Sequence, residues 1–272
     1  MKIFYIITNC IKDPDYVVTN MIQSFIEMEG AKSYIGQEVD GKYDFPEQVD
    51  CIVSLGGDGT LIRAAGDFHE YDIPLIGVNL GTLGYLTEIE KNNLREDIRT
   101  LVNGQTLVEE RMMICGSIKE RENIALNDVV VTREGELRTI GFHIYVNGSF
   151  LHSYKADGMI VSTPTGSTGY SMSAGGPIVE PTASIFIVTP ICSHSLNSRS
   201  IVLSSEDVIE IVLDGGREGE LEQAKVSFDG NVSYEISTGD VVKITKAYKT
   251  MKLMKLSSVS FLETLRKKMA GN

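Results

Sequence analysis

Cys51-Ile52-Val53-Ser54-Leu55 is a largely apolar run of strand length, and it leads straight into Gly56-Gly57-Asp58-Gly59-Thr60. The pattern Leu61-Ile62-Arg63-Ala64-Ala65 that follows is helix-like. No other feature constrains the fold so closely, because it reads as strand, tight turn, helix. The glycines let the backbone turn sharply and let a bulky ligand approach it. The first N–H groups of a helix have no partner within it and favour an anion such as phosphate. Asp58 places one carboxylate among them. A phosphate cradle holding an acid points to phosphate chemistry with a metal ion and a hydroxyl to activate. The same five residues also make a plain turn, with Asp58 as the helix N-cap.

The flanking sequence extends the strand–helix pattern. Lys2 to Thr8 is apolar on both faces, as a buried parallel strand requires. Asp13-Pro14-Asp15 breaks the chain, and Val17, Val18, Met21, Ile22, Phe25, Ile26 and Met28 follow at helical spacing up to Glu29-Gly30. A weaker strand is expected around Ser33 to Ile35, and Asp40 to Gln48 reads as loop. Ile73 to Asn79 is another buried-type strand, ending in the loop Leu80-Gly81-Thr82-Leu83-Gly84-Tyr85. Such alternation implies a parallel sheet with covering helices. Ligands of these sheets bind beyond the carboxyl ends of the strands, so Asp58 and Asn79 are expected to face one crevice.

After Gly104 the helical period gives way to alternation. His143 to Val146, Asn147-Gly148 and Ser149 to His152 form a strong hairpin signal. Val208 to Leu213, and Lys225 to Phe228 turning at Asp229-Gly230 into Asn231 to Tyr234, add strands. Val241 to Thr245 and Met251 to Leu256 add two more. This half reads as all-β and antiparallel, in two packed sheets. Ser260 to Met269 returns to helix. Its apolar stripe of Phe261, Leu262, Leu265 and Met269 is expected to pack on the first domain, and Arg266-Lys267-Lys268 sit near its end, where cations suit the helix dipole. The expected organisation is an α/β domain over 1–103, completed by 258–272, and a β domain over 104–257.

With 37 acidic residues against 25 Lys plus Arg, the 272-residue chain carries a formal charge of -12. It lacks the basic footprint of non-specific nucleic-acid binding, and an anionic ligand has to be held by local groups. No apolar run reaches membrane-spanning length. Cys10, Cys51, Cys115 and Cys192 form no C-x-x-C pair. Zinc is therefore unsupported, and free buried thiols in a reducing, cytoplasmic setting are expected. There is no Walker loop, no G-x-G-x-x-G and no G-x-S-x-G.

The second informative stretch runs from Ala156 to Pro177, dense in glycine and hydroxyl side chains. Small residues admit close approach, hydroxyls suit ribose and phosphate oxygens, and Tyr170 offers a flat face for a base. Apolar sequence at Met159-Ile160-Val161 and at Tyr170-Ser171-Met172 argues against a flexible surface loop. In Leu126-Asn127-Asp128, an amide beside a carboxylate can read a base edge or a ribose diol, or can close a turn.

Gly56 to Thr60, Asn79 to Leu86, Asn127-Asp128, Asp157 to Pro177 and Cys192 to Arg199, in this order and spacing, resemble the bacterial NAD kinase family. Gly-Gly-Asp-Gly-Thr alone is shared with diacylglycerol, sphingosine and phosphofructokinase-type kinases. The long Gly/Ser/Thr stretch is the specific part. The resemblance implies an N-terminal α/β domain, a C-terminal β domain and a last segment returning to the first. It implies transfer of the terminal phosphoryl group of ATP to the adenosine-ribose 2′-hydroxyl of NAD with magnesium, by a homodimer or homotetramer. By motif, Asp58 would activate the hydroxyl or hold the metal, and Gly57 and Gly59 would bring backbone to the phosphates. Asn127 and Asp128 would bind ribose and base. Asp157, Thr168, Gly169, Tyr170 and Ser173 would hold the rest, with Lys155 as a nearby cation. Gly169, Asp128 and Lys155 stand where the family usually has alanine, glutamate and arginine. The rival readings are a lipid or sugar kinase sharing the turn, and a non-catalytic dinucleotide-binding regulator.

Overall fold

The computed structural model describes residues 2–39, 42–82, 84–135, 138–195, 198–216, 220–256 and 259–270. Leu83 of the glycine-bearing loop, Asp40 and Gly41 of the expected loop, and Leu196 and Asn197 of the last motif lie outside the described residues. The chain divides into two units, Met1–Glu110 with Met251–Asn272, and Arg111–Thr250.

In the first unit four strands lie side by side and parallel, in the order Lys32–Ile35, Ile3–Thr8, Cys51–Gly56, Leu75–Asn79. Their buried runs need cover on both faces. Helices Val17–Met28 and Leu94–Val102 cover one, against Phe4, Ile6, Val53, Leu55, Ile76 and Val78. Helix Asp58–Phe68 buries Leu61, Ala64, Ala65 and Phe68, and Phe68 meets Tyr5 of the other face at 6.1 Å between ring centroids. The register pairs Thr8 with Leu55 and Gly56 with Asn79, so three strands release their chains at one edge.

Helix Leu94–Val102 is absent from the sequence reading, although Leu94, Ile98, Leu101 and Val102 make its buried stripe. It is short, and its charged first turn masks the period. Val17, Met21 and Met28 of the expected stripe are exposed, because the helix needs only Val18, Thr19, Ile22 and Ile26 to cover its strip of sheet. Lys42–Tyr43, within the expected Asp40 to Gln48 loop, pairs with Glu38–Val39 just before it as a short antiparallel ladder.

The second unit is antiparallel. One six-stranded sheet runs Ile201–Ser204, Ile185–Ile191, Gly158–Ser162, Asp128–Arg133, Gln223–Phe228, Val232–Ser237. A second layer includes Ser149–Ala156, Ile140–Val146 and Ile209–Leu213. Phe142, Ile144, Ile211 and Leu213 from the second layer share one core with Val129, Val161, Phe186 and Phe228 from the first. The hairpin turns at Asn147 (φ 51°) and Gly148 (φ 75°), the left-handed pair that matches strand twist.

Val241–Lys255 is one strand of 15 residues rather than the two expected, because neither Gly nor Pro interrupts its alternation. The C-terminal helix Phe261–Met269 forms, with Ser260 Oγ accepting from Glu263 N at 3.2 Å, but none of its residues is buried. Its apolar stripe packs only in part: Phe261 and Leu265 are half-buried, whereas Leu262 is 68% and Met269 75% exposed. All four cysteines are free, and of these Cys10 and Cys192 are exposed rather than buried. Among the described residues no helix is long and apolar enough to cross a membrane.

Candidate functional site

The chain leaves strand Cys51–Gly56 through Gly57, and Gly57, not Asp58, is the N-cap of the following helix. Asp58 is the first helical residue, and its carboxylate points to another loop. Oδ2 accepts from the Tyr85 N–H at 2.6 Å, and Oδ1 accepts from Leu86 N at 3.1 Å and Thr87 N at 3.2 Å. Three backbone donors thus hold the acid in one orientation. Gly84 makes this possible: a Cβ there would collide with Asp58 Oδ1 and lie 2.6 Å from its Cγ.

Asn79 closes strand Leu75–Asn79. Its Oδ1 accepts from Gly81 N at 2.9 Å, so it shapes its own loop. Asn9, beyond strand Ile3–Thr8, reaches the turn instead, donating through Nδ2 to Thr60 Oγ1 at 3.2 Å. Its Oδ1 also accepts from Ile11 N and Lys12 N, which brings Lys12 Nζ to 3.2 Å from the Gly56 carbonyl. A cavity of about 410 Å³ opens here, lined by Lys12, Gly57, Asp58, Gly59, Thr60 and Lys268 among others. A Cβ added at Gly59 would meet nothing within 4 Å, so no protein atom demands glycine there. The space it leaves is open to a ligand that must approach the backbone closely.

In the second unit, Asn127, Asp128 and Tyr170 line a cavity of about 390 Å³ together with Ser227, Asp229 and Gly230. Asp229 is a residue the sequence reading took only as a turn former. Its carboxylate accepts the N–H groups of Leu126 (2.7 Å), Asn127 (2.8 Å) and Asp128 (3.0 Å), about a hundred residues earlier in the chain. Among the described residues, the Asn127 Oδ1 is buried without a hydrogen-bond partner.

The hydroxyl-rich stretch is spent differently from the expectation. It is folded as strand Gly158–Ser162, a 3-10 turn Thr165–Thr168 and a short helix Tyr170–Ser173. Much of its hydroxyl inventory is internal. Thr163 Oγ1 donates to the Leu126 carbonyl at 2.6 Å, Ser167 Oγ bonds the backbone of Val179, and Ser171 Oγ meets Thr189 Oγ1 at 3.2 Å. Lys155, Asp157, Thr168, Gly169 and Ser173 do not line the Asn127 cavity. Asp157 pairs with Arg133 Nε at 3.0 Å, Lys155 is exposed on its strand, and Thr168 Oγ1 lies 3.4 Å from the Thr165 carbonyl. Gly169 adjoins the cavity's amide: a Cβ there would sit 3.5 Å from Asn127 Nδ2.

Asp128 is 6% exposed, and burial, reinforced by the charge of Asp229, pushes its carboxyl up to about 7. Burial also lifts Asp229 to about 6, against the pull of its three N–H donors. Both stand above the ordinary value of 3.8, so the folded protein holds protons that the unfolded chain has released. The stabilisation this supplies is complete below that ordinary value and lost as pH rises through 6 to 7. Melting temperature is therefore expected to fall from mildly acid to alkaline pH. Asp128→Asn should flatten that slope and melt higher than wild type at alkaline pH. Equal slopes in the two proteins would show that this pair does not hold the proton.

A glycine-bearing turn with a fixed acid at the end of a parallel sheet, in a chain that also carries an antiparallel β unit with its own cavity, fits a class of nucleotide-dependent phosphotransferases. Residues 6–106 match the ATP-NAD kinase N-terminal domain and residues 126–256 the ATP-NAD kinase C-terminal domain. An NAD kinase of Agathobacter rectalis is 47% identical over 282 residues, covering 100% of this chain and 99% of the relative. An NAD kinase of Lachnospira eligens is 45% identical over 293 residues, covering 99% and 100%. An NAD kinase from Archaeoglobus fulgidus, solved in complex with ATP, superposes with a TM-score of 0.80 at 26% identity, covering 99% of this chain and 98% of that one. The yeast NADH kinase complexed with NADH shares the fold at a TM-score of 0.84 and 22% identity, covering 100% and 88%. The chain belongs to the NAD kinase family.

Proposed function

We propose that Asp58 activates the adenosine-ribose 2′-hydroxyl of NAD for attack on the terminal phosphorus of ATP. The overall reaction follows from the family: the chain is an enzyme that phosphorylates NAD to NADP. The observation that carries the role of Asp58 is its carboxylate, fixed by three backbone N–H groups and lining a cavity shared with Gly57, Gly59, Lys12 and Lys268.

In the step, the ribose oxygen forms a bond to the γ-phosphorus as the bond to the β–γ bridging oxygen breaks. ADP leaves, and the hydroxyl proton passes to the Asp58 carboxylate and then to water. Such transfers depend on positioning and charge neutralisation more than on covalent chemistry. The open space at Gly59 suits a phosphate against backbone N–H groups, and Lys12 adds a cation. Among the described residues no three His, Cys, Asp or Glu side chains cluster as a protein cage for a metal. The single carboxylate at the cavity still fits magnesium, which is commonly held by one or two carboxylates plus substrate phosphates. Asp58 would hold it there, and the ion would neutralise charge on the transferred group.

Asn127 and Asp128 bind the dinucleotide in this reading. The unpartnered Oδ1 of Asn127 accepts from a base amine, Asp128 takes a ribose hydroxyl, and the Tyr170 ring stacks on a base. Asp157, Thr168, Gly169, Ser173 and Lys155 complete the binding segment around them. Division of labour follows the expected domains, with donor phosphates on 1–103 and 258–272 and the dinucleotide on 104–257. A homodimer or homotetramer in the cytoplasm completes the proposal, and the free state of all four cysteines supports the compartment.

The test is turnover of the purified chain with NAD and MgATP, read by coupled detection of NADP. NADP should accumulate, and chelation of magnesium should abolish it. Phosphorylation of a lipid or a sugar phosphate without NADP would favour the rival kinase. Binding of NAD without turnover would favour a regulator.

A further inference from the structure

We infer that Lys268, on the C-terminal helix, is a donor-binding residue that places its ammonium on the phosphates of the nucleotide in the Asp58 cavity. The inference rests on the proposed function and deepens it by naming a cation outside every motif of the sequence reading.

Three observations carry it. Lys268 lines the same cavity as Gly57, Asp58, Gly59 and Thr60. Its Nζ stands 3.9 Å from the centroid of the Tyr85 ring, and the Tyr85 N–H is the donor to Asp58 Oδ2 at 2.6 Å. One residue therefore links the lysine to the acid. The third observation concerns the helix. No residue of Phe261–Met269 is fully buried, and its ion pair of Lys267 with Glu263 at 3.4 Å lies within the helix. Phe261 and Leu265 are only half-buried, and Lys268 is the helix residue that lines the cavity.

Charge supports the same conclusion. At a formal charge of -12 the protein repels a nucleoside triphosphate at long range, so cations at the cavity must do the holding. Lys12, the other lysine lining it, has its Nζ 3.2 Å from the Gly56 carbonyl and is tied to the floor of the turn. Lys268 rests on a ring face, and a phosphate is the stronger partner for an ammonium. A lysine also suits this place as a compact point charge with three donors. On donor binding, Lys268 exchanges the Tyr85 ring for phosphate oxygens. The C-terminal helix is then held most firmly when the nucleotide is present.

Lys268→Ala should raise the KM for ATP about tenfold or more, the loss expected of one charge-assisted hydrogen bond. The KM for NAD should stay within about twofold, and ligand-free melting should fall only slightly, since alanine gives up just the contact with the Tyr85 ring. Lys268→Arg should recover most of the ATP affinity, and Lys268→Glu should be worse than alanine. The upward shift in melting temperature on adding MgATP should shrink in Lys268→Ala. An ATP KM within twofold of wild type, or an equal rise in both KM values, overturns the inference. Failure of the wild-type chain to form NADP would instead overturn the proposed function, so the two failures are distinct.

Discussion

Asp58→Asn should lower turnover by about 10²- to 10⁴-fold, the range over which a positioned acid–base group acts. It should also destabilise the protein, which a simple exchange of base for amide would not do. Both carboxylate oxygens are acceptors in the folded state, Oδ2 for Tyr85 N and Oδ1 for Leu86 N and Thr87 N. Asparagine has one acceptor and one NH₂. Whichever way the amide lies, its NH₂ faces at least one backbone N–H that then has no partner. The cost of leaving such a donor unpaired is about 1–3 kcal/mol, at the low end for a half-buried group. Melting should fall by a few degrees. The loop at 84–87 loses its anchor together with the chemistry. Steady-state kinetics and thermal melting of the variant check both effects. Turnover within tenfold of wild type would remove Asp58 from the chemical step.

Gly166→Ala should be strongly damaging to the β unit. A Cβ at Gly166 would collide with the Asn127 carbonyl oxygen and lie 2.6 Å from the carbonyl carbon and 2.8 Å from Cα. These are backbone atoms and cannot turn aside as a flexible side chain would. The segment they belong to is clamped from both sides. Thr163 N donates to the Asn127 carbonyl at 2.8 Å, and the Asp229 carboxylate holds the N–H groups of 126–128. The strain of overpacking is about 1–3 kcal/mol or more. It can be relieved only by moving the Asn127-Asp128 pair or by opening the 163–168 turn. Either displaces groups proposed to hold NAD, and small displacements at a site carry large kinetic costs. The KM for NAD should rise at least about tenfold, well beyond any change for ATP. A variant with wild-type KM for NAD would show that the backbone at Asn127 is not part of the dinucleotide site.

These two cases separate what was local from what was not. The strand, turn and helix at 51–68 were legible because apolar run, glycines and helical period are neighbours in the chain. The hairpin at Asn147-Gly148 was legible because two-residue turns select those residues. The meaning of the hydroxyl-rich stretch was only partly legible. Its composition marked a candidate site, but a hydroxyl spent on a neighbouring carbonyl, as at Thr163, has the same sequence signature as one offered to a ligand. The C-terminal helix shows the opposite error. Its stripe at Phe261, Leu262, Leu265 and Met269 has the period of a buried face, yet Phe261 and Leu265 are only half-buried and Leu262 and Met269 stay exposed.

By itself the sequence determined most of the elements and the membership of a kinase family, and it singled out the glycine-bearing turn and Asp58 as candidates. Backbone sterics and periodic burial act over a few residues, so they are written in a few residues. Only the tertiary structure decided what orients that acid, and the answer is the N–H groups of Tyr85, Leu86 and Thr87. It alone paired Asp229 with the backbone of 126–128 and brought Lys268 to the cavity of Asp58. These contacts are made by backbone N–H groups, which every non-proline residue carries, or by a lysine at the far end of the chain. Neither leaves a mark in composition or spacing, because what selects them is the closure of long loops in the folded chain.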